Sequence, residues 1–152
     1  MSYGGEACCG ERGEMTNTEF KNQLERRTQT FSANVLKTLM QLPEGPEFQN
    51  IRRQVVRSAT AIGTNYRESN HAESRADFVH KLAIVSKEAS ETEYWLRLCL
   101  DVQPESLALD IVWREADELN RLFHKIRLSC GEQGKPDSHD HLAPPLKKTH
   151  NS

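Results

Sequence analysis

At 152 residues the chain is long enough for one domain with its own core and too short for two ordinary ones. Charged residues at 28% beside hydrophobic residues at 36% exclude disorder throughout, and no stretch approaches a membrane span. The formal net charge of −2 selects no partner, but residues 20–81 hold ten Lys/Arg against six Asp/Glu whereas residues 87–118 hold three against nine, so one half is basic and the other acidic.

Residues 1–15 carry no apolar run of the length a signal peptide needs and read as a disordered extension, with Met15 an alternative start. A first helix is predicted over residues 17–42. Thr16 and Glu19 have the spacing of a capping box, in which each side chain serves a free amide at the helix start. Phe20, Leu24, Phe31, Val35, Leu39 and Leu42 recur at helical steps and make one apolar face. Pro43-Glu44-Gly45-Pro46 then stops the helix, because proline lacks the amide that the next turn needs.

A second helix is predicted over residues 47–70, with Ile51, Val55, Ala59, Ile62 and Tyr66 as its core stripe. Arg52, Val56 and Gly63 widen its low-polarity arc to about 140° at 100° per residue, more than a helix in a lone bundle needs. Gly63 costs about 1 kcal/mol relative to alanine in mid-helix and reads as a point of close helix approach.

Ser74 is the expected cap of a third helix over residues 75–102, which carries Phe78, Leu82, Val85, Ala89, Leu96 and Leu100 on one line. Gln103-Pro104-Glu105 ends it. A fourth helix over residues 105–130 repeats the pattern with Val112, Ala116, Leu119, Phe123 and Ile126, and Gly131 is expected to close it. Residues 131–152 turn to Pro, Lys, His, Ser and Asp with little to bury and read as a disordered tail. Four amphipathic helices joined by short connections predict an all-α, single-domain, antiparallel up-down-up-down four-helix bundle over residues 16–130. Cys8, Cys9, Cys99 and Cys130 show no paired framework, so free thiols in a reducing cytoplasm are expected.

The run Arg57-Ser58-Ala59-Thr60-Ala61-Ile62-Gly63-Thr64-Asn65-Tyr66-Arg67-Glu68, with Asp77-Phe78, Lys81-Leu82, Ile84, Glu88-Ala89 and Glu93-Tyr94-Trp95-Leu96, resembles a bacterial family. Its members are the four-helix-bundle proteins named after the intervening sequence of 23S rRNA. They are similar to the accessory protein of diversity-generating retroelements, which assists a reverse transcriptase. The likeness covers residues 20–126 and is most specific in the second and third helices. It implies a four-helix protomer assembled as a homopentamer, and it implies no enzyme.

Two surfaces stand out as candidates for function. Arg53, Arg57, Thr60, Thr64, Arg67 and His71 follow one another at spacings of four and three, a row able to track a phosphate backbone. Of these, Arg53, Arg57, Arg67 and His71 are the expected nucleic-acid contacts. The competing reading is a solvated face closed by ion pairs, because antiparallel packing about residues 70–74 sets Arg57 level with Glu88 and Arg53 with Glu91. The second surface is apolar: Ile84, Tyr94, Trp95 and Leu98 lie off the core line of the third helix. With Val56 and Gly63 they are the expected subunit interface.

No catalytic, cofactor or metal residues are assigned. Glu68-Ser69-Asn70-His71 has the Glu-x-x-His spacing of di-iron bundles, but those sites need two such motifs and two further carboxylates facing the core. Asp77 and His80 share the spacing while Phe78 and Leu82 claim the buried face, and His139, His141 and His150 lie in the polar tail. No Gly-rich phosphate loop and no nucleophile elbow is present. The expectation is therefore a non-catalytic oligomeric accessory protein that binds RNA or a nucleoprotein partner such as a reverse transcriptase. The alternative is a protein–protein scaffold ring that touches its partner through an apolar or acidic face. Neither a membrane nor a small-molecule substrate is expected.

Overall fold

The computed structural model describes residues 15–132. The segments expected to be disordered, 1–15 and 131–152, lie outside the described residues except for Met15, Gly131 and Glu132. Four helices follow in order: α1 (Asn17–Leu39), α2 (Pro46–Ser69), α3 (Arg75–Val102) and α4 (Leu107–Glu132). Each packs against its neighbours in sequence and α4 closes on α1, whereas the diagonal pairs α1–α3 and α2–α4 stay apart along the backbone. This is the antiparallel up-down-up-down bundle the apolar periodicity predicts. No helix among the described residues is long and apolar enough to cross a membrane.

Local chemistry sets most of the boundaries. Thr16 Oγ1 accepts from Glu19 N at 3.2 Å while Glu19 Oε2 accepts from Thr16 N at 2.8 Å, so the expected capping box is formed. Ser74 Oγ accepts from Asp77 N at 3.1 Å and caps α3, which spans the predicted residues.

Both ends of α2 lie one residue earlier than expected, and three other ends differ by two residues or more. α1 stops at Leu39 rather than at Leu42: Gln41 and Leu42 bond back to Thr38 and Leu39 in a tighter turn, since Pro43 disfavours helical dihedrals at the residue before it. α4 begins at Leu107 rather than at Glu105, because Ser106 Oγ accepts from Leu109 N at 3.3 Å and acts as its cap. At the other end α4 runs through Gly131 to Glu132, and no described glycine has a positive φ, so the glycine stop expected there is not made.

The core holds the stripes read from sequence. Phe31, Val35, Val55, Ile62, Leu82, Val85, Leu96, Leu119 and Phe123 are fully buried or nearly so. The Tyr66 and Phe123 rings meet across the core with centroids 5.3 Å apart at a 59° tilt, a geometry that favours the edges and faces of aromatic rings. Phe20, expected in the stripe, is 39% exposed, since it lies in the first turn of α1 at the open end of the bundle.

Candidate nucleic-acid interface

α2 and α3 run antiparallel, so their outward faces meet along a shallow seam that Arg57 spans. Its Nη1 lies 3.4 and 3.3 Å from the two Glu88 carboxylate oxygens, and its Nη2 pairs with Glu91. Trp95 Nε1 donates to the same Glu91 oxygen at 3.3 Å. The Arg57 bond, opposed by partial burial and aided by Trp95, holds the Glu91 carboxyl below the ordinary glutamate range. Antiparallel packing therefore brings Arg57 to Glu88 as expected, but Glu91 goes to Arg57 and not to Arg53. The two carboxylates flank one turn of α3, and a single guanidinium fork reaches both.

The rest of the row divides. Arg53 is exposed and has no ion pair among the described residues, and His71 is exposed without a side-chain partner there. Arg67 Nε lies 3.6 Å from Glu25 Oε2 with the Arg67 side chain 60% exposed, a loose pair of the kind water weakens. Thr60 Oγ1 and Thr64 Oγ1 donate at 2.7 and 2.6 Å to the carbonyls of Val56 and Thr60. Their protons are spent on the helix, which leaves only lone pairs facing out, so the hydroxyls do not serve a phosphate as donors. Of the predicted contacts, Arg53 and His71 have no ion pair among the described residues, Arg67 is held loosely by Glu25, and Arg57 is held by Glu88 and Glu91.

Sequence reasoning misses a second basic surface, the groove between α3 and α4. It encloses about 540 Å³ and is lined by Ala83, Ser86, Lys87, Ser90, Asn120, Arg121, His124 and Arg127, with no carboxylate among them. Arg121 pairs with Asp117 one turn back on α4, while Arg127 Nε is buried with no hydrogen-bond acceptor. The signal lies in residues 119–130, which hold Arg121, His124, Lys125 and Arg127 and no Asp or Glu. The acidic average over 87–118 conceals it and absorbs Lys87 on the facing helix.

The acidic half is itself largely paired. Arg27 Nε and Nη2 bond Glu115 and Glu118 at 2.6 and 2.7 Å, and Asp110 pairs with Arg114 at 2.8 Å.

The residues predicted as a subunit interface do not form one continuous patch. Tyr94 is 59% exposed and meets Trp95 edge-on at 5.3 Å, while Trp95 packs partly on the core. Ile84 and Leu98 are half-buried, and Val56 packs on the core beside Leu36 and Met40. Gly63 faces α1: a Cβ built there would lie 3.3 Å from Thr28 Oγ1, so its close approach is made inside the protomer. Sequence reasoning does not single out Leu36, Met40, Leu107 and Ile111, all exposed. They sit at the end of the bundle where α1 finishes and α4 begins. No group of three or more His, Cys, Asp or Glu able to hold a metal ion occurs among the described residues.

A family model described as "23S rRNA-intervening sequence protein" matches residues 20–125. Among solved structures, the chain is similar to a protein of unknown function from the S23 ribosomal protein family of Bacteroides thetaiotaomicron, a 1.70 Å crystal structure. The TM-score is 0.63 and the identity 32%, over 71% of this chain and 97% of that one. No curated protein matches. The match spans all four helices, from the first turns of α1 to the last turns of α4, and the chain belongs to the 23S rRNA-intervening sequence protein family.

Proposed function

We propose that this protein is a non-catalytic accessory protein that binds RNA, alone or with a protein already on it, through exposed cations on its helix faces. The observation that carries this reading is the pairing pattern. The acidic residues of α3 and α4 are largely engaged within the chain, whereas on the α2 side Arg53 and His71 have no ion pair among the described residues and Arg67 has only a loose, exposed one to Glu25. Arg53 and Arg67 stand fourteen residues apart, about 21 Å along the helix, a span that several backbone phosphates would occupy. Contacts of this kind position a nucleic acid without reading its bases. For the alternative scaffold, which would touch its partner through an apolar or acidic face, Arg27, Arg114 and Arg121 pair much of the acidic charge of α4.

Filter binding of a structured RNA to the full chain tests the proposal. Binding is expected at low salt and should weaken steeply as salt rises. Arg53→Gln with Arg67→Gln should weaken it further at every salt concentration. A wild-type protein that retains no RNA at low salt ends this reading.

Self-assembly accompanies it. The family resemblance implies a homopentamer, and the exposed Tyr94, Leu107 and Ile111 supply apolar surface that a monomer leaves in water. In a ring, the modest cation row of each protomer is repeated around one body and gains from multivalency.

A further inference from the structure

The α3–α4 groove is lined by Lys87, Arg121, His124 and Arg127, and several of its other polar side chains have no partner among the described residues. Thr28, Ser58, Thr60, Thr64 and Thr92 all turn their hydroxyls back onto carbonyls of their own helix. Ser86 and Ser90, on the groove wall of α3, do not, although Ser86 is buried. Asn120 on the opposite wall likewise has no side-chain partner among the described residues. Arg127 adds an Nε that is buried and has no acceptor among the described residues. Lys87 on α3 and His124 on α4 both line the groove, each exposed and without an ion pair among the described residues.

We propose that the α3–α4 groove is a phosphate-binding site that seats a backbone phosphate of the bound RNA. Lys87 and Arg127 supply the charge from opposite helices, and Ser86, Ser90 and Asn120 supply neutral donors. The lining itself holds no carboxylate, although Asp117 stands against Arg121 and Glu91 one turn from Lys87. Arg121 enters only by leaving Asp117, which one turn of α4 separates from it. The site rests on the RNA-binding reading above and deepens it, because it moves the strongest contact from the α2 face to the opposite side of α3. An RNA held in the groove would lie against α3 and α4, with α2 as a secondary contact.

The test uses full-length protein and two probes. One is a labelled 20-nucleotide single-stranded RNA followed by fluorescence anisotropy, and the other is inorganic tripolyphosphate followed by calorimetry. The variants are Lys87→Gln with Arg127→Gln in the groove, and Arg53→Gln with Arg67→Gln on α2. Lys87→Gln with His124→Gln changes only exposed side chains and stands in if loss of Arg127 disturbs folding, which circular dichroism reports. The groove variants should bind the RNA about ten-fold more weakly, with a salt slope shallower by about one for each cation removed, and should lose tripolyphosphate. The α2 variant should lose less on RNA and nothing on tripolyphosphate. If the wild type binds RNA and the groove variants match it, the groove proposal falls and the RNA reading survives. If the wild type binds tripolyphosphate in the groove but no RNA, the phosphate site stands and the RNA reading falls. If it binds neither, both fall.

Discussion

Arg52 shows how one side chain completes a turn that periodicity leaves open. By spacing it belongs to the low-polarity arc of α2, yet it reaches back to the end of α1. Its Nε donates to Leu39 O at 3.2 Å, and its Nη2 donates to Leu42 O and to Pro43 O at 2.8 Å. Leu39 O is shared with Leu42 N, Leu42 O and Pro43 O have no backbone donor among the described residues, and a cation is favoured at that end of the helix. Arg52→Met keeps the stem and removes the donors, and should cost about 2 kcal/mol in urea unfolding at unchanged m-value. A midpoint equal to wild type would show that water serves these carbonyls as well.

Gly63 poses a sharper question of sign. Alanine gains about 1 kcal/mol of helix propensity there but meets Thr28 Oγ1 at 3.3 Å, and that hydroxyl is held by its bond to Glu25 O. Gly63→Ala alone is therefore expected to be nearly neutral. In a Thr28→Ala background the same change should stabilise by about 1 kcal/mol, a coupling that a double-mutant cycle reads directly. Equal effects in both backgrounds would remove Thr28 as the reason for the glycine.

At Glu91 the prediction concerns pH. Its folded-state acidity is stronger than that of an ordinary glutamate, so the fold favours the charged form. That contribution is present near neutral pH and is lost as pH falls through the folded value. Arg57→Gln should move the Glu91 midpoint upward in a carboxyl-carbon NMR titration, and an unmoved midpoint would show that the pair seen here is not populated in water.

At the scale of elements, the four apolar stripes were legible because burial follows helical period, and α3 was found to the residue because Ser74 and Pro104 bracket it. The ends that shifted were decided by contacts between elements or by a competing cap: Arg52 and Pro43 at α1, Ser106 at α4. Periodicity carries no information about either. The groove between α3 and α4 was illegible for a related reason, since Lys87 and Arg127 lie forty residues apart and meet only when the helices pack.

The helices are not equally secured. α2, α3 and α4 pack closely in sequence order, but α1 touches α4 along a thinner seam, where Arg27 bridges Glu115 and Glu118. Arg27 is more than a third exposed, so these bonds contribute no more than about 1 kcal/mol. Native-state hydrogen exchange should therefore find α1 opening at lower free energy than α3, with Arg27→Ala widening the gap. Equal protection in both helices would mean that the bundle opens only as a whole.

For the molecule as a whole, the division into a basic and an acidic half predicts a dipolar surface, and folding largely cancels it. Arg57 bridges Glu88 and Glu91 and Arg27 bridges Glu115 and Glu118, while Arg53 on α2 and Lys87 in the α3–α4 groove are among the cations without an ion pair among the described residues. What folding leaves uncovered instead is apolar. Leu36 on α1 and Met40 just after it, Leu107 and Ile111 on α4, and Tyr94 on α3 are exposed, and the first two pairs are each four residues apart. Association of identical chains is the economical way to bury them, at about 25 cal/mol for each Å² covered. Multi-angle light scattering of the full chain at micromolar concentration should give a mass several times that of the protomer. Trp95 is a poor probe, since it packs on the core and its loss would blur assembly with folding. Tyr94→Ser with Ile111→Ser touches only exposed side chains, so it should lower the mass while leaving the helical circular dichroism unchanged. A wild type that elutes as a monomer would remove the ring, and the RNA contacts would then have to act without multivalency.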